Sequence, residues 1–105
     1  MKVRVDKDYC SDPVWICEDG EEYFTNGDLD DFNGKLSYAL ISMLKAYSDA
    51  WEKVYWRNDL SAKDLSDFSI IFEDLSSYLA KQCKKQLPEI EWGYWCCSKR
   101  TIMYV

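Results

Sequence analysis

Residues 18 to 31 read EDGEEYFTNGDLDD, with seven carboxylates (Glu18, Asp19, Glu21, Glu22, Asp28, Asp30, Asp31) and no lysine or arginine. The other groups able to ligate a metal or act as nucleophiles are five cysteines, Cys10, Cys17, Cys83, Cys96 and Cys97, and the chain has no histidine. So dense a run of acids suits three chemistries. It can cage a hard cation, move protons, or present negative charge to a cationic partner.

The cation reading fails on ligand spacing. With Asp28 as the first position of a calcium loop, Asp30 fits the third, but Phe32 falls at the fifth and Asn33 at the sixth, where glycine makes the turn. Ala39 then occupies the twelfth position, which needs a bidentate glutamate. Starting at Asn26 fares no better, because Asp31 and Ser37 then stand at the required glycine and glutamate. Zinc sites bring two ligands close together through a tight pair two to four residues apart. Here Cys10 and Cys17 are separated by six residues, Cys83 is isolated, and Cys96 abuts Cys97. Adjacent strand residues point to opposite faces, so the last two are poor partners for one ion or for each other. An odd number of cysteines also excludes a complete disulfide framework, and reduced, mostly buried thiols are expected.

Catalysis lacks its usual parts. Without histidine there is no ordinary general base and no partner to activate a serine or cysteine. The four glycines, at 20, 27, 34 and 93, are too scattered for a phosphate-binding loop. The chain is therefore expected to be no enzyme, with no catalytic residue, metal, cofactor or small-molecule ligand. Direct nucleic-acid binding is not expected either, since a net charge of −6 has the wrong sign for phosphate contacts.

Capture of a cationic partner remains. Residues 1–34 carry ten acids and three bases, whereas residues 35–105 carry nine acids and ten bases, so the excess negative charge lies in the first third. Complementary fields steer association and can raise on-rates to about 10⁸–10⁹ M⁻¹s⁻¹ at low salt. Trp15, Tyr23 and Phe32 are interleaved with the acids and could add desolvated contacts. The expected partner-binding set is Trp15, Glu18, Asp19, Glu21, Glu22, Tyr23, Asp28, Asp30 and Asp31, with Trp15 and Tyr23 as anchors.

The elements that must hold these residues follow from periodicity. At 105 residues, 48% of them hydrophobic and 16% aromatic, the chain is expected to form a single domain, 1–105, with one core. KVRV (2–5) alternates as a short strand with Val3 and Val5 inward. VWIC (14–17) and residues 22–25 flank Asp19-Gly20, a hairpin signal, and an acidic loop follows between Asn26-Gly27 and Asn33-Gly34. From Lys35 to about Trp56 the period becomes helical, with Leu36, Leu40, Met43, Leu44, Tyr47, Trp51 and Val54 on one face. A second helix begins near Ser61, its cap supported by Asp64, and ends before Pro88. Its apolar stripe is Leu65, Phe68, Phe72, Leu75, Leu79 and Cys83. A final hairpin alternates Ile90, Trp92, Tyr94 and Cys96 against Glu91, Gly93, Trp95 and Cys97, which places Trp92 and Trp95 on opposite faces. The expected fold class is α+β, with two antiparallel helices packed on one face of a largely antiparallel sheet.

No apolar run approaches the eighteen residues or so of a membrane span. MKVRVDKDYC lacks the unbroken apolar stretch of a secretory leader, so a cytoplasmic location and no membrane partner are expected.

Tyr9, Pro13-Val14-Trp15, Asp19-Gly20-Glu21, Tyr23 and Leu29, then a helix with Leu36, Leu40, Leu44, Trp51 and Tyr55, form a pattern over about the first half of the chain. It resembles a group of small acidic bacterial proteins, some of them similar in size and charge to the immunity proteins of contact-dependent growth inhibition and related polymorphic toxin systems. The resemblance implies an antitoxin, a non-enzymatic inhibitor that binds a basic cognate toxin domain such as a nuclease. No binding residue carries over by motif, because immunity proteins share a role far more than a sequence. The alternative is a protein-interaction adaptor or a phage-type decoy that mimics nucleic-acid charge.

Overall fold

The computed structural model describes residues 1–105 and has the α+β architecture. The strands are β1 (Lys2–Val5), β2 (Val14–Cys17), β3 (Thr25–Asn26), β4 (Glu91–Cys96) and β5 (Thr101–Tyr104). The helices are α1 (Tyr38–Tyr55) and α2 (Ala62–Gln86), and one 3-10 turn spans Leu29–Phe32. The five strands lie in the order β3-β2-β1-β4-β5, and every neighbouring pair is antiparallel except β1 and β4. Those two lie side by side inside the sheet, and the chain returns from the β3 edge to β4 through the two helices, a long crossover.

Alternation along the strands sorts the two faces. Val3, Val5, Val14 and Trp92 point toward the helices and are fully buried. Lys2, Arg4, Trp15, Trp95 and Tyr104 alternate with them onto the opposite face. Trp92 and Trp95 lie on opposite faces, as the spacing predicts, with Trp92 the inner one.

Both helices start at serine caps. Ser37 Oγ accepts the Leu40 amide (3.2 Å), and Ser61 and Asp64 form a reciprocal capping box (3.1 Å each way). Gln86, at the end of α2, accepts the Ser37 amide (2.7 Å) and donates to its hydroxyl (3.1 Å), which ties α2's last turn to α1's first. Deeper between the helices, Ser76 Oγ–H donates to the Phe72 carbonyl (2.8 Å). Its single proton is thereby committed, so Tyr47 is the donor in the buried Tyr47–Ser76 hydrogen bond. Burial raises the Tyr47 phenol above its ordinary range. No helix is long and apolar enough to cross a membrane.

Several expected details change. The segment expected as a strand over 22–25 enters the sheet only at Thr25, because Glu22, Tyr23 and Phe24 belong to the connection. The expected acidic loop contains the 3-10 turn, and its Leu29 and Phe32 are buried. Met43, Leu65 and Leu75, expected on core stripes, are exposed instead. The faces of α2 that meet the sheet and α1 use Phe72, Ser76, Leu79, Ala80 and Cys83.

The five thiols are free, with Cys17, Cys83 and Cys96 buried and Cys10 and Cys97 exposed. Burial pushes the Cys83 thiol up to about 12, which keeps it protonated and unreactive at neutral pH. Alkylation of the native protein with iodoacetamide is expected to modify Cys10 and Cys97 first. The three buried thiols should react only in denaturant. Mass spectrometry of the adducts checks this, and rapid native labelling of Cys83 would contradict the packing of α2.

Candidate protein-binding surface

The acidic residues occupy two neighbouring structures. Glu18, Asp19, Glu21, Glu22 and Tyr23 lie on the connection from β2 to β3 and are all exposed, Tyr23 to 77%. Gly20 supplies the positive φ (+85°) that bends this loop. The Cys17 thiol under it donates to the Glu21 carbonyl (3.3 Å). Asp19 is the one acid in the run with an ion-pair partner. It takes the N-terminal ammonium of Met1 at 2.6 Å, and that hydrogen bond holds its carboxyl below the usual range.

The second structure is the 3-10 turn. Asp28 caps it by accepting the Asp30 amide (2.9 Å), and Asp12 reaches across to accept the Leu29 amide (2.7 Å). Leu29 and Phe32 anchor the turn in the core, Phe32 against the Trp92 ring at 5.7 Å between centroids. Two clefts flank it. Asp28 and Asp30 line one with Asp12, Asp49, Lys45 and Ser48. Glu18 and Asp31 line the other with Lys35, Met1 and Ile16.

The run is thus split between two sides of one ridge, and the tertiary fold adds two acids, Asp12 and Asp49. Sequence reading missed both, since Asp49 is 18 residues beyond Asp31 and meets the cluster only when α1 packs beside the turn. Phe32, expected among the interleaved aromatics, is only 3% exposed and unavailable to a partner.

Trp15 has a different setting. It lies half-buried on the outer sheet face beside Arg4, its cross-strand neighbour. The Arg4 guanidinium sits 5.3 Å from the Trp15 ring and 5.2 Å from the Phe24 ring, a cation held between two aromatic faces. Arg4 Nε is also 3.4 Å from Asp6 Oδ2, an ion-pair contact that does not make a hydrogen bond. Burial is the main reason that the Asp6 carboxyl is raised above its ordinary value. The Trp15 indole N–H is buried without a hydrogen-bond partner. Across the same face, Lys2 Nζ lies 5.8 Å from the Tyr104 ring, and Tyr104 and Trp95 are 47% and 37% exposed.

The surface therefore combines an open aromatic sheet face with an acidic rim that leaves the sheet after Cys17 and re-enters it after Phe24. No group of three or more Cys, Asp or Glu side chains is arranged to hold a metal ion. The chain matches no protein-family model, no curated protein and no solved structure.

Proposed function

We propose that this chain is a non-enzymatic inhibitor of the immunity-protein kind, acting in the cytoplasm on a basic toxin domain such as a nuclease. The observation that carries the reading is the adjacency of an exposed acidic rim to an uncovered aromatic sheet face. Glu18, Glu21, Glu22, Asp28, Asp30 and Asp31 attract the cationic partner over a Debye length of about 8 Å at physiological salt. Tyr23, Trp95 and Tyr104 offer the exposed apolar area that provides affinity once water leaves. Trp15 contributes only the part of its ring left open, since its face is taken by Arg4 and its indole N–H is buried. Bound this way, the inhibitor covers the basic substrate surface of its target. Acids gathered about one loop and one turn favour this reading over a nucleic-acid decoy, which needs an extended double row of charge.

The test uses a toxin domain encoded beside this gene. Co-expression should preserve cell growth, and the purified pair should associate more slowly as salt rises. Replacing Asp28, Asp30 and Asp31 together by asparagine removes three charges, and asparagine can still cap the 3-10 turn at position 28. The association rate constant is expected to fall about tenfold with the fold intact. An unchanged on-rate would remove these residues from the interface. Turnover by the isolated chain would overturn the reading altogether.

A further inference from the structure

A second apolar surface lies on the helix layer, away from the acidic rim. On α2, Phe68, Ile71, Leu75, Tyr78 and Gln82 recur at steps of three and four residues, the spacing of a coiled-coil seam. Phe68 packs in part on the protein's own core, but the rest of the stripe is not used there. Ile71, Leu75 and Tyr78 are 53%, 37% and 55% exposed, and Met43 of α1, which lines a groove with Tyr78, is 54% exposed. Contiguous large apolar side chains of this kind mark an interface.

The charge along α2 identifies what covers it. Residues 62–74 carry four acids and one base, and residues 75–86 carry three bases and no acid. Helical geometry places Asp67, Asp74, Lys81 and Lys85 along one flank of the stripe. A cationic protein would meet attraction at one end and repulsion at the other. The surface complementary to an acidic-then-basic seam is the same seam reversed.

We propose that the chain forms a two-fold homodimer in which α2 packs antiparallel against α2 of a second copy. Leu75 meets its own counterpart at the two-fold axis, Ile71 faces Tyr78 of the other copy, and Phe68 faces its Gln82. Asp67 lies beside the other copy's Lys81 and Lys85. A parallel arrangement sets acid on acid and base on base, so the antiparallel one is selected. The dimer leaves the open sheet face free and does not rest on the inhibitor reading.

Sedimentation velocity of the full chain from low micromolar to submillimolar concentration is expected to show a monomer–dimer equilibrium. Leu75→Glu, at an exposed position, should give a monomer with an unchanged far-UV spectrum. Asp67→Lys should raise the dimer Kd about tenfold or more, and adding Lys81→Glu and Lys85→Glu should restore it. In a Cys10→Ser/Cys97→Ser background, Leu75→Cys should crosslink between copies on mild oxidation. Ile70→Cys, on another side of the helix, should not. A monomer at every concentration overturns the proposal. So does a dimer indifferent to Leu75→Glu and to the charge exchange, or a crosslink that is as strong from position 70.

Discussion

Trp92→Ala is expected to destabilise the protein by about 3–5 kcal/mol, the range for removing a buried aromatic side chain. Trp92 is fully buried on β4, directly opposite Val3 of the parallel neighbour β1, and its ring packs on Phe32. Its indole N–H donates to the Leu87 carbonyl (3.0 Å), closing the chain where α2 gives way to the sheet. Removing the ring opens a cavity at the joint of sheet, helix and 3-10 turn, and leaves that carbonyl with the Ile90 amide (3.3 Å) alone. Domains of this size are stable by roughly 5–15 kcal/mol, so about a fifth of the total or more is at stake. Urea denaturation should show a lower midpoint with little change in slope. Trp92→Phe keeps most of the packing and should lose less. A cost under about 1 kcal/mol for the alanine variant would show that the core is not centred on this residue.

Gly93→Val is the second large effect, expected at about 1–3 kcal/mol from overpacking. A Cβ at this position would lie 2.9 Å from Ile102 Cγ2, 2.9 Å from the Met103 carbonyl oxygen and 3.1 Å from Tyr104 Cδ1. Side chains can swing aside, but the carbonyl moves only with β5. Gly93 pairs with Tyr104 across the strands, so the missing side chain is what lets the tyrosine ring lie close to β4. Substitution therefore disturbs the outer aromatic face as well as the edge hairpin. The melting temperature should fall by several degrees, and near-UV circular dichroism should report altered aromatic packing while far-UV helix content persists. Wild-type stability in Gly93→Val would mean that β5 is free to move away.

Much of the local structure was legible because it depends on near neighbours. Val3 and Val5 inward, and Trp92 and Trp95 on opposite faces, follow from the two-residue period of a strand. The Ser61–Asp64 box needs only three residues of helix geometry, and the structure holds it at 3.1 Å in both directions. The acids of residues 18–31 could be named as a surface because charge of one sign without counter-ions stays solvated. Apolar spacing was less decisive. Met43 and Leu75 satisfy a helical period and lie outside the core, since periodicity marks an apolar face without saying what covers it.

By itself the sequence determined the two helices and most of the strands, the cap of α2, and that the negative charge gathers in the first third. Only the tertiary structure decided that β1 pairs in parallel with β4, that Phe32 turns inward, and that Asp12 and Asp49 join the acids of the 3-10 turn. Secondary structure and charge are set by residues a few positions apart, whose geometry the backbone dictates. Strand partners and shared clefts bring together residues tens of positions apart, and that choice belongs to the burial of the whole core.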